Sequence, residues 1–115
     1  MSEVIRKKYC VNGEWKDSKT SKWMPVTDSS TGEVLAEVPS CTQDEVLEAI
    51  DAANKAFPAW SQLSLSKRTQ MMFNWRNILV SHLDELTLLC AKELGKTLNE
   101  AKGDILKAIE PTELA

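Results

Sequence analysis

The stretch ELGKTLNEAKGDI, residues 93–105, contains the end of one helix and the beginning of the next. An apolar pattern of helical spacing runs up to Leu94, and Gly95 follows it, as glycine often does at a helix C-terminus. Thr97 belongs to the residue types that cap helix N-termini. The stretch therefore predicts one helix over residues 83–94 and another that begins after Thr97.

Two more helices are predicted upstream of this junction. Thr42 and Glu45 form a capping-box pattern, which predicts a helix from about Gln43 to Ala56 that Pro58 stops. The second of these helices is predicted over residues 65–80, with Ser64 or Ser66 as its N-cap. In the helix that begins after Thr97, downstream of the junction, Pro111 is expected to interrupt the helical pattern. The apolar residues expected to face inward are Val46, Leu47, Ile50, Ala53, Phe57, Met72, Trp75, Ile78, Leu79, Leu86, Leu89, Cys90, Leu94, Ala101, Ile105, Ala108 and Ile109.

The first forty residues read as two short hairpins. Residues 8–11 and 14–17 flank Asn12-Gly13, a pair that accepts the positive φ angles of a type I′ turn. Residues 23–27 and 34–38 flank a polar loop that contains Gly32, and Pro39 ends the strand region. The chain is thus predicted to be two β-hairpins (1–40) followed by about four α-helices (41–115).

Composition argues against several classes of partner and site. The net charge of -3 and the pI near 5.2 argue against nucleic-acid and acidic-membrane partners. No apolar run has the length of a membrane span, and the first eight residues lack the apolar core of a signal peptide, so a cytoplasmic location is expected. Three widely spaced cysteines (Cys10, Cys41, Cys90) and a single histidine, His82, predict neither a disulfide framework nor a metal site.

Four segments in order resemble the N-terminal part of the NAD-dependent aldehyde dehydrogenase family. Residues 93–105 are similar to its E-x-G-K…EA-x-G-[DE] signature, and the other segments are YCVNGEW (9–15), DSSTGEVL (28–35) and AFPAWS (56–61). Within the family, residues 73–105 most resemble the methylmalonate-semialdehyde dehydrogenase branch, whose members form an acyl-CoA. The resemblance implies an α/β fold, with residues 1–115 as a single partial domain, the N-terminal portion of the cofactor domain.

This resemblance also implies that the chemistry lies elsewhere. The complete enzyme would use NAD and, in this branch, CoA, but the family's nucleophilic cysteine belongs to a downstream segment, so no catalytic residue is expected here. The four glycines form no phosphate-binding motif, so no cofactor-binding residue is expected either. None of the three cysteines matches the family nucleophile; Cys41, before a helix start, is the one whose position favours a thiolate. Ser81 and His82, adjacent in sequence, point to different sides of a helix and predict no dyad.

Lys107 is the one substrate-binding candidate. The branch resemblance places at this position an arginine that holds the carboxylate of the semialdehyde. Lysine keeps the charge but not the two-pronged guanidinium geometry. The alternative is a solvated helix lysine that pairs with Asp104 or Glu110.

Three hypotheses follow for the whole chain. It is an N-terminal fragment of a semialdehyde dehydrogenase, inactive alone; or an interaction module that assembles with the remainder of the enzyme or with homologous subunits; or a free-standing small domain. The tryptophans Trp15, Trp23, Trp60 and Trp75 lack an accompanying basic groove. Trp60 and Trp75 are expected to pack in a core or an interface.

Overall fold

The computed structural model describes residues 4–114, which form short strands followed by long helices. The strands are β1 (Ile5–Arg6), β2 (Tyr9–Val11), β3 (Glu14–Lys16), β4 (Trp23–Thr27) and β5 (Val34–Pro39). The helices are α1 (Gln43–Gln62), α2 (Leu65–Ser81), α3 (Leu83–Leu94) and α4 (Leu98–Leu114). The predicted α/β class, with strands before helices, is confirmed.

The described residues divide into two compact units. The first unit contains the residues up to Thr27 together with Gly32–Gln62, and so holds all the strands and α1. The second contains Asp28–Thr31 and the residues from Leu63 onward, with α2, α3 and α4.

The first predicted hairpin is confirmed. β2 and β3 pair antiparallel, with Cys10 opposite Trp15. Asn12 and Gly13 between them have φ angles of 52° and 76°. Positive φ at both positions is what a type I′ turn requires, which is why these two residue types connect the strands.

The second predicted hairpin forms, but it is part of a larger sheet. β4 and β5 pair antiparallel, and β1 adds to β5 in parallel, which gives the order β1-β5-β4. The Arg6 guanidinium lies 4.7 Å from the centre of the Trp23 ring. The prediction of hairpins alone missed β1, because a two-residue strand has no detectable alternation and its partner is distant in sequence. Pro25 lies in the edge strand β4, where a missing amide donor is tolerated.

The predicted helix starts are correct, whereas both prolines were wrongly expected to interrupt helices. α1 continues beyond Pro58 to Gln62, and α4 continues beyond Pro111 to Leu114. A proline removes its own amide donor and the bond to the residue four positions earlier. The residues after it keep their donors, so each helix resumes beyond the proline.

The helical unit has a small core centred on α4. Ala101 and Ile109 are 0% and 4% exposed, and α4 packs against both α2 and α3. Ile105, also expected inward, is half-buried, whereas Ala108 is exposed. A helix that contacts two neighbours buries one stripe, and residues 101, 105 and 109 share that stripe at a spacing of four.

Most of the other large apolar residues expected inward are exposed. On α1 the exposed fractions are 47% for Val46, 59% for Ile50 and 64% for Phe57. Leu47, Trp60, Trp75, Ile78, Leu89 and Leu94 are exposed as well, while Met72, Leu79, Leu86 and Cys90 are half-buried. Trp60 and Trp75 are thus not in a core of the described residues, and their packing in an interface stays a prediction. Periodicity identified the apolar faces, but it carries no information on whether another element covers them.

No helix within residues 4–114 is both long and apolar enough to cross a lipid bilayer. The cytoplasmic location stays a prediction.

Candidate functional site

The signature segment forms the junction between α3 and α4. Gly95 ends α3 in the left-handed conformation, with φ 67°. The amides of Gly95 and Lys96 both donate to the carbonyl of Ala91, at 2.9 and 3.2 Å. These bonds satisfy a carbonyl at the end of α3 that has no partner within the helix.

The residues after Gly95 begin α4. The Glu100 amide donates to Thr97 Oγ1 at 3.2 Å, and the Thr97 amide donates to Glu100 Oε2 at 3.4 Å, which is a capping box. Lys96 Nζ donates to Asp104 Oδ2 at 2.5 Å, and this hydrogen bond raises the pKa of Lys96. This ion pair between Lys96 and Asp104 therefore ties the residues just after α3 to the second turn of α4.

A short loop packs on the same junction. Ser29 donates from its amide to the carbonyl of Lys92 at 3.1 Å and from its hydroxyl to the carbonyl of Glu93. Gly95 is close to this loop, because a Cβ added at Gly95 would lie 3.2 Å from Ser29 Cβ. Residues 93–105, the signature segment, thus have a structural role in this chain: they cap the end of α3 and the start of α4 and hold the loop at Ser29 against the junction.

The two glycines of the signature are expected to respond oppositely to alanine. Gly95→Ala places a side chain at positive φ and against Ser29, which should lower the free energy of unfolding by about 1–2 kcal/mol. Gly103 lies inside α4, and a Cβ there meets no atom within 4 Å, so Gly103→Ala should raise it by roughly 0.5–1 kcal/mol. Urea unfolding of both variants and the parent chain measures the two changes. Equal signs would show that backbone conformation does not govern these positions.

Lys107 lies on the exposed side of α4. At 3.6 residues per turn it points away from the stripe of Ala101 and Ile109. Within residues 4–114 no hydrogen bond or ion pair to Lys107 is observed, and Asp104, one suggested partner, pairs with Lys96 instead. The structure thus leaves the Lys107 ammonium directed outward.

The other candidate groups form no dyad and no metal-ligand cluster among the described residues. Ser81 donates to the carbonyl of Ile78 at 2.8 Å, whereas His82 Nδ1 lies 3.0 Å from Glu85 Oε2, so the two form no dyad. Cys10 is exposed, Cys41 and Cys90 are half-buried, and no cysteine sulfur has a hydrogen-bond partner among the described residues. In the same part of the chain no three His, Cys, Asp or Glu side chains cluster as metal ligands would.

A polar cleft of about 530 Å³ opens between the β2–β3 hairpin and the start of α1. Its residues are Tyr9, Lys16, Asp17, Lys19, Thr42, Asp44, Glu45 and Glu48. Lys16 Nζ donates to Glu48 Oε1 at 2.5 Å, and this bond raises the pKa of Lys16. The cleft carries charges of both signs, and sequence reasoning did not find it because it joins residues that are distant in the chain.

Glu45 is the buried carboxylate of this cleft, with 8% of its surface exposed. It accepts hydrogen bonds from Ser18 Oγ at 2.6 Å, from the Lys19 amide at 2.9 Å and from the Thr42 amide at 2.8 Å. These donors, the Ser18 hydroxyl first, lower the pKa of Glu45 from its ordinary 4.5 to about 2. A carboxylate with every oxygen engaged is a clamp between α1 and the segment after β3, and not a proton-transfer group.

The clamp predicts a specific pH dependence. Because the folded state lowers the pKa of Glu45, its contribution to stability is present above pH 4.5 and is lost as the pH falls toward about 2. Glu45→Gln should unfold at lower urea at neutral pH and lose less stability on acidification than the parent chain. Urea midpoints between about pH 6 and pH 2.5 measure this, with the exposed Glu110→Gln as the control. Parallel midpoint curves for the parent chain and Glu45→Gln would contradict the clamp.

Comparison with known proteins identifies the family to which this chain belongs. Residues 15–115 match the aldehyde dehydrogenase family, and the chain belongs to that family. It is 39% identical to malonate-semialdehyde dehydrogenase of Listeria monocytogenes across all 115 residues, which is 24% of that relative's length. It is 40% identical over 112 residues to an acylating, mitochondrial methylmalonate-semialdehyde/malonate-semialdehyde dehydrogenase of Aedes aegypti, covering 97% of this chain and 22% of that protein.

Further relatives differ in their named cofactor. An NADP(+) succinate-semialdehyde dehydrogenase of Escherichia coli is 41% identical over 104 residues, 90% of this chain and 22% of that protein. Two solved structures cover most of the chain. The E. coli NADP-dependent enzyme has a TM-score of 0.88 at 40% identity, over 95% of this chain and 23% of its own. The NAD-dependent aldehyde dehydrogenase of Sinorhizobium meliloti has a TM-score of 0.82 at 27% identity. That match covers 97% of this chain and 23% of the Sinorhizobium chain. The chain therefore spans about a quarter of the length of the relatives that it matches.

Proposed function

We propose that this chain is the N-terminal part of the cofactor domain of an NAD-dependent aldehyde dehydrogenase. When complete, the enzyme oxidises malonate or methylmalonate semialdehyde, and these 115 residues alone are inactive. The observation that carries the proposal is the 39% identity to the Listeria malonate-semialdehyde dehydrogenase over the whole chain. The division of residues 1–115 into hairpins and helices of one partial domain belongs to the same proposal.

The cofactor and product are proposed on separate grounds. The Sinorhizobium relative, named as NAD-dependent, supports NAD, and the Aedes relative, named as acylating, supports an acyl-CoA product and hence CoA. The E. coli relative favours a second candidate, oxidation of succinate semialdehyde with NADP. All these substrates carry a carboxylate at the other end of the molecule from the aldehyde, so recognition of an anionic substrate is common to both candidates.

Lys107 is the proposed contact to that carboxylate. Its ammonium is exposed on α4, on the side away from the core stripe, where a group outside this chain can reach it. An ammonium attracts a carboxylate as a point charge, whereas arginine offers two parallel donors. We therefore expect Lys107 to hold the carboxylate less selectively than an arginine would.

This role is tested in a hybrid enzyme in which residues 1–115 replace the aligned first quarter of the Listeria malonate-semialdehyde dehydrogenase. Lys107→Arg should raise the kcat/KM ratio for malonate semialdehyde over an uncharged aldehyde by an amount equivalent to about 1–3 kcal/mol. Lys102→Arg, a change at another exposed lysine of α4, is the control. Equal ratios for both variants and the parent hybrid would show that Lys107 is only a surface lysine.

A further inference from the structure

Asp104 is an acid of α4 that is placed to pair with Lys107. The two residues are three positions apart, so their side chains are neighbours on the surface of the helix. Acidic and basic side chains at this spacing form ion pairs that stabilise helices. Lys107 nevertheless makes no hydrogen bond or ion pair with any residue of the described range 4–114.

Lys96 holds the carboxylate of Asp104 instead. Lys96 lies in the junction between α3 and α4, eight residues before Asp104, and its Nζ donates to Oδ2 at 2.5 Å. The side chains of Lys96 and Asp104 are 40% and 41% exposed, so a second ammonium can reach the same carboxylate. Lys96 and Lys107 thus compete for one carboxylate, and in this structure Lys96 has it.

The position of the Asp104 carboxylate matters for the role proposed for Lys107. A free ammonium attracts the carboxylate of a semialdehyde as a point charge. When an ammonium is paired with a neighbouring acid, that acid also repels the substrate carboxylate, so the attraction is weaker. Glu110, the other acid within one turn of Lys107, is exposed and makes no ion pair with a described residue. The availability of Lys107 therefore depends on which lysine binds Asp104.

We infer that Lys96 is a positioning residue for the substrate carboxylate: by holding Asp104, it leaves the Lys107 ammonium free to bind the substrate. The inference rests on the proposed function of Lys107, and it adds a residue that acts through Asp104 and does not touch the substrate. The ion pair of the signature segment thereby has a second role, beside its role in tying the junction to α4.

The first test uses the 115-residue chain and needs no turnover. Acetic anhydride acetylates amines, and mass spectrometry compares the rate at Lys107 with that at Lys102, an exposed lysine of the same helix. Lys96→Gln should slow the acetylation of Lys107 about two- to fivefold, because Asp104 then pairs with Lys107. Lys96→Arg keeps the ion pair, and Lys96→Gln with Asp104→Asn removes the carboxylate, so both should react at the parent rate. Circular dichroism checks the helicity of each variant.

The second test measures substrate binding in the hybrid enzyme described above. Lys96→Gln should raise KM for malonate semialdehyde about two- to fivefold with kcat unchanged, and it should not alter the kinetics with propanal, an uncharged aldehyde. Adding Asp104→Asn should restore KM, which the removal of a further contact would not do if Lys96 only stabilised the helix. Lys102→Gln, which removes the same charge elsewhere on α4, is the matched control and should leave KM unchanged.

The inference is overturned if Lys96→Gln leaves the acetylation of Lys107 unchanged, or if Asp104→Asn does not reverse its effect. It is also overturned if Lys96→Gln and Lys102→Gln raise KM equally, or if Lys107→Met raises KM and Lys96→Gln does not. A hybrid in which Lys107→Met leaves KM unchanged contradicts the proposed substrate contact instead. The acetylation rates then still decide whether Lys96 controls the pairing of Lys107.

Discussion

The purified 115-residue chain is expected to form no detectable NADH or NADPH from malonate semialdehyde, methylmalonate semialdehyde or simple aldehydes, with or without CoA. Aldehyde oxidation of this kind needs an activated thiolate, donors that stabilise the oxyanion, and a nicotinamide held for hydride transfer. The three cysteines are free, and none has a hydrogen-bond partner within residues 4–114. Loss of even one oxyanion donor costs about 10²–10³ in kcat, which sets the scale of the loss that we expect.

The measurement is the increase in absorbance of the reduced nicotinamide, NADH or NADPH, with the complete Listeria enzyme as the positive control. Cys41→Ser is the informative variant, because Cys41 directly precedes the helix cap Thr42. Turnover that survives purification and disappears in Cys41→Ser would refute the expectation of inactivity.

Replacing Ile109 by alanine should lower the free energy of unfolding of the helical unit by about 2–4 kcal/mol. Ile109 is 4% exposed on the stripe of α4 that contacts α2 and α3, so its truncation removes buried apolar surface and leaves a cavity. The core of this unit is small, and no other residue of α4 except Ala101 is as fully buried among those described. A loss of this size is a large fraction of what a small core supplies.

Urea unfolding followed by circular dichroism measures the change. Leu106→Ala is the matched control, because Leu106 lies on the same helix and is 42% exposed. It should cost less than about 1 kcal/mol. Similar losses for Ile109→Ala and Leu106→Ala would mean that α4 is not packed as described.

Local signals explain why the helix starts could be predicted. Thr42 with Glu45, Ser64, and Thr97 each make the capping hydrogen bonds expected from the sequence. Such bonds join residues three positions apart, so sequence alone determines them. The Asn12–Gly13 turn is predictable for the same reason.

Long-range contacts explain what could not be predicted. The pairing of β1 with β5, the hydrogen bond from Ser18 to Glu45 and the packing of Ser29 beside Gly95 all join distant residues. The effect of the two prolines on α1 and α4 was mispredicted. The loss of a single amide donor is a local cost that the other hydrogen bonds of a helix can offset. Burial was the property predicted least well, because Ile50 and Phe57 lie on a well-formed apolar face that no element of the described residues covers.

The most direct test of the central claim is turnover by the hybrid enzyme described above. If residues 1–115 are the N-terminal part of a semialdehyde dehydrogenase, the hybrid should fold and form NADH or NADPH from malonate semialdehyde, while the chain alone forms none. A hybrid that folds with the thermal stability of the Listeria enzyme, yet oxidises neither malonate, methylmalonate nor succinate semialdehyde with either nicotinamide, would contradict it.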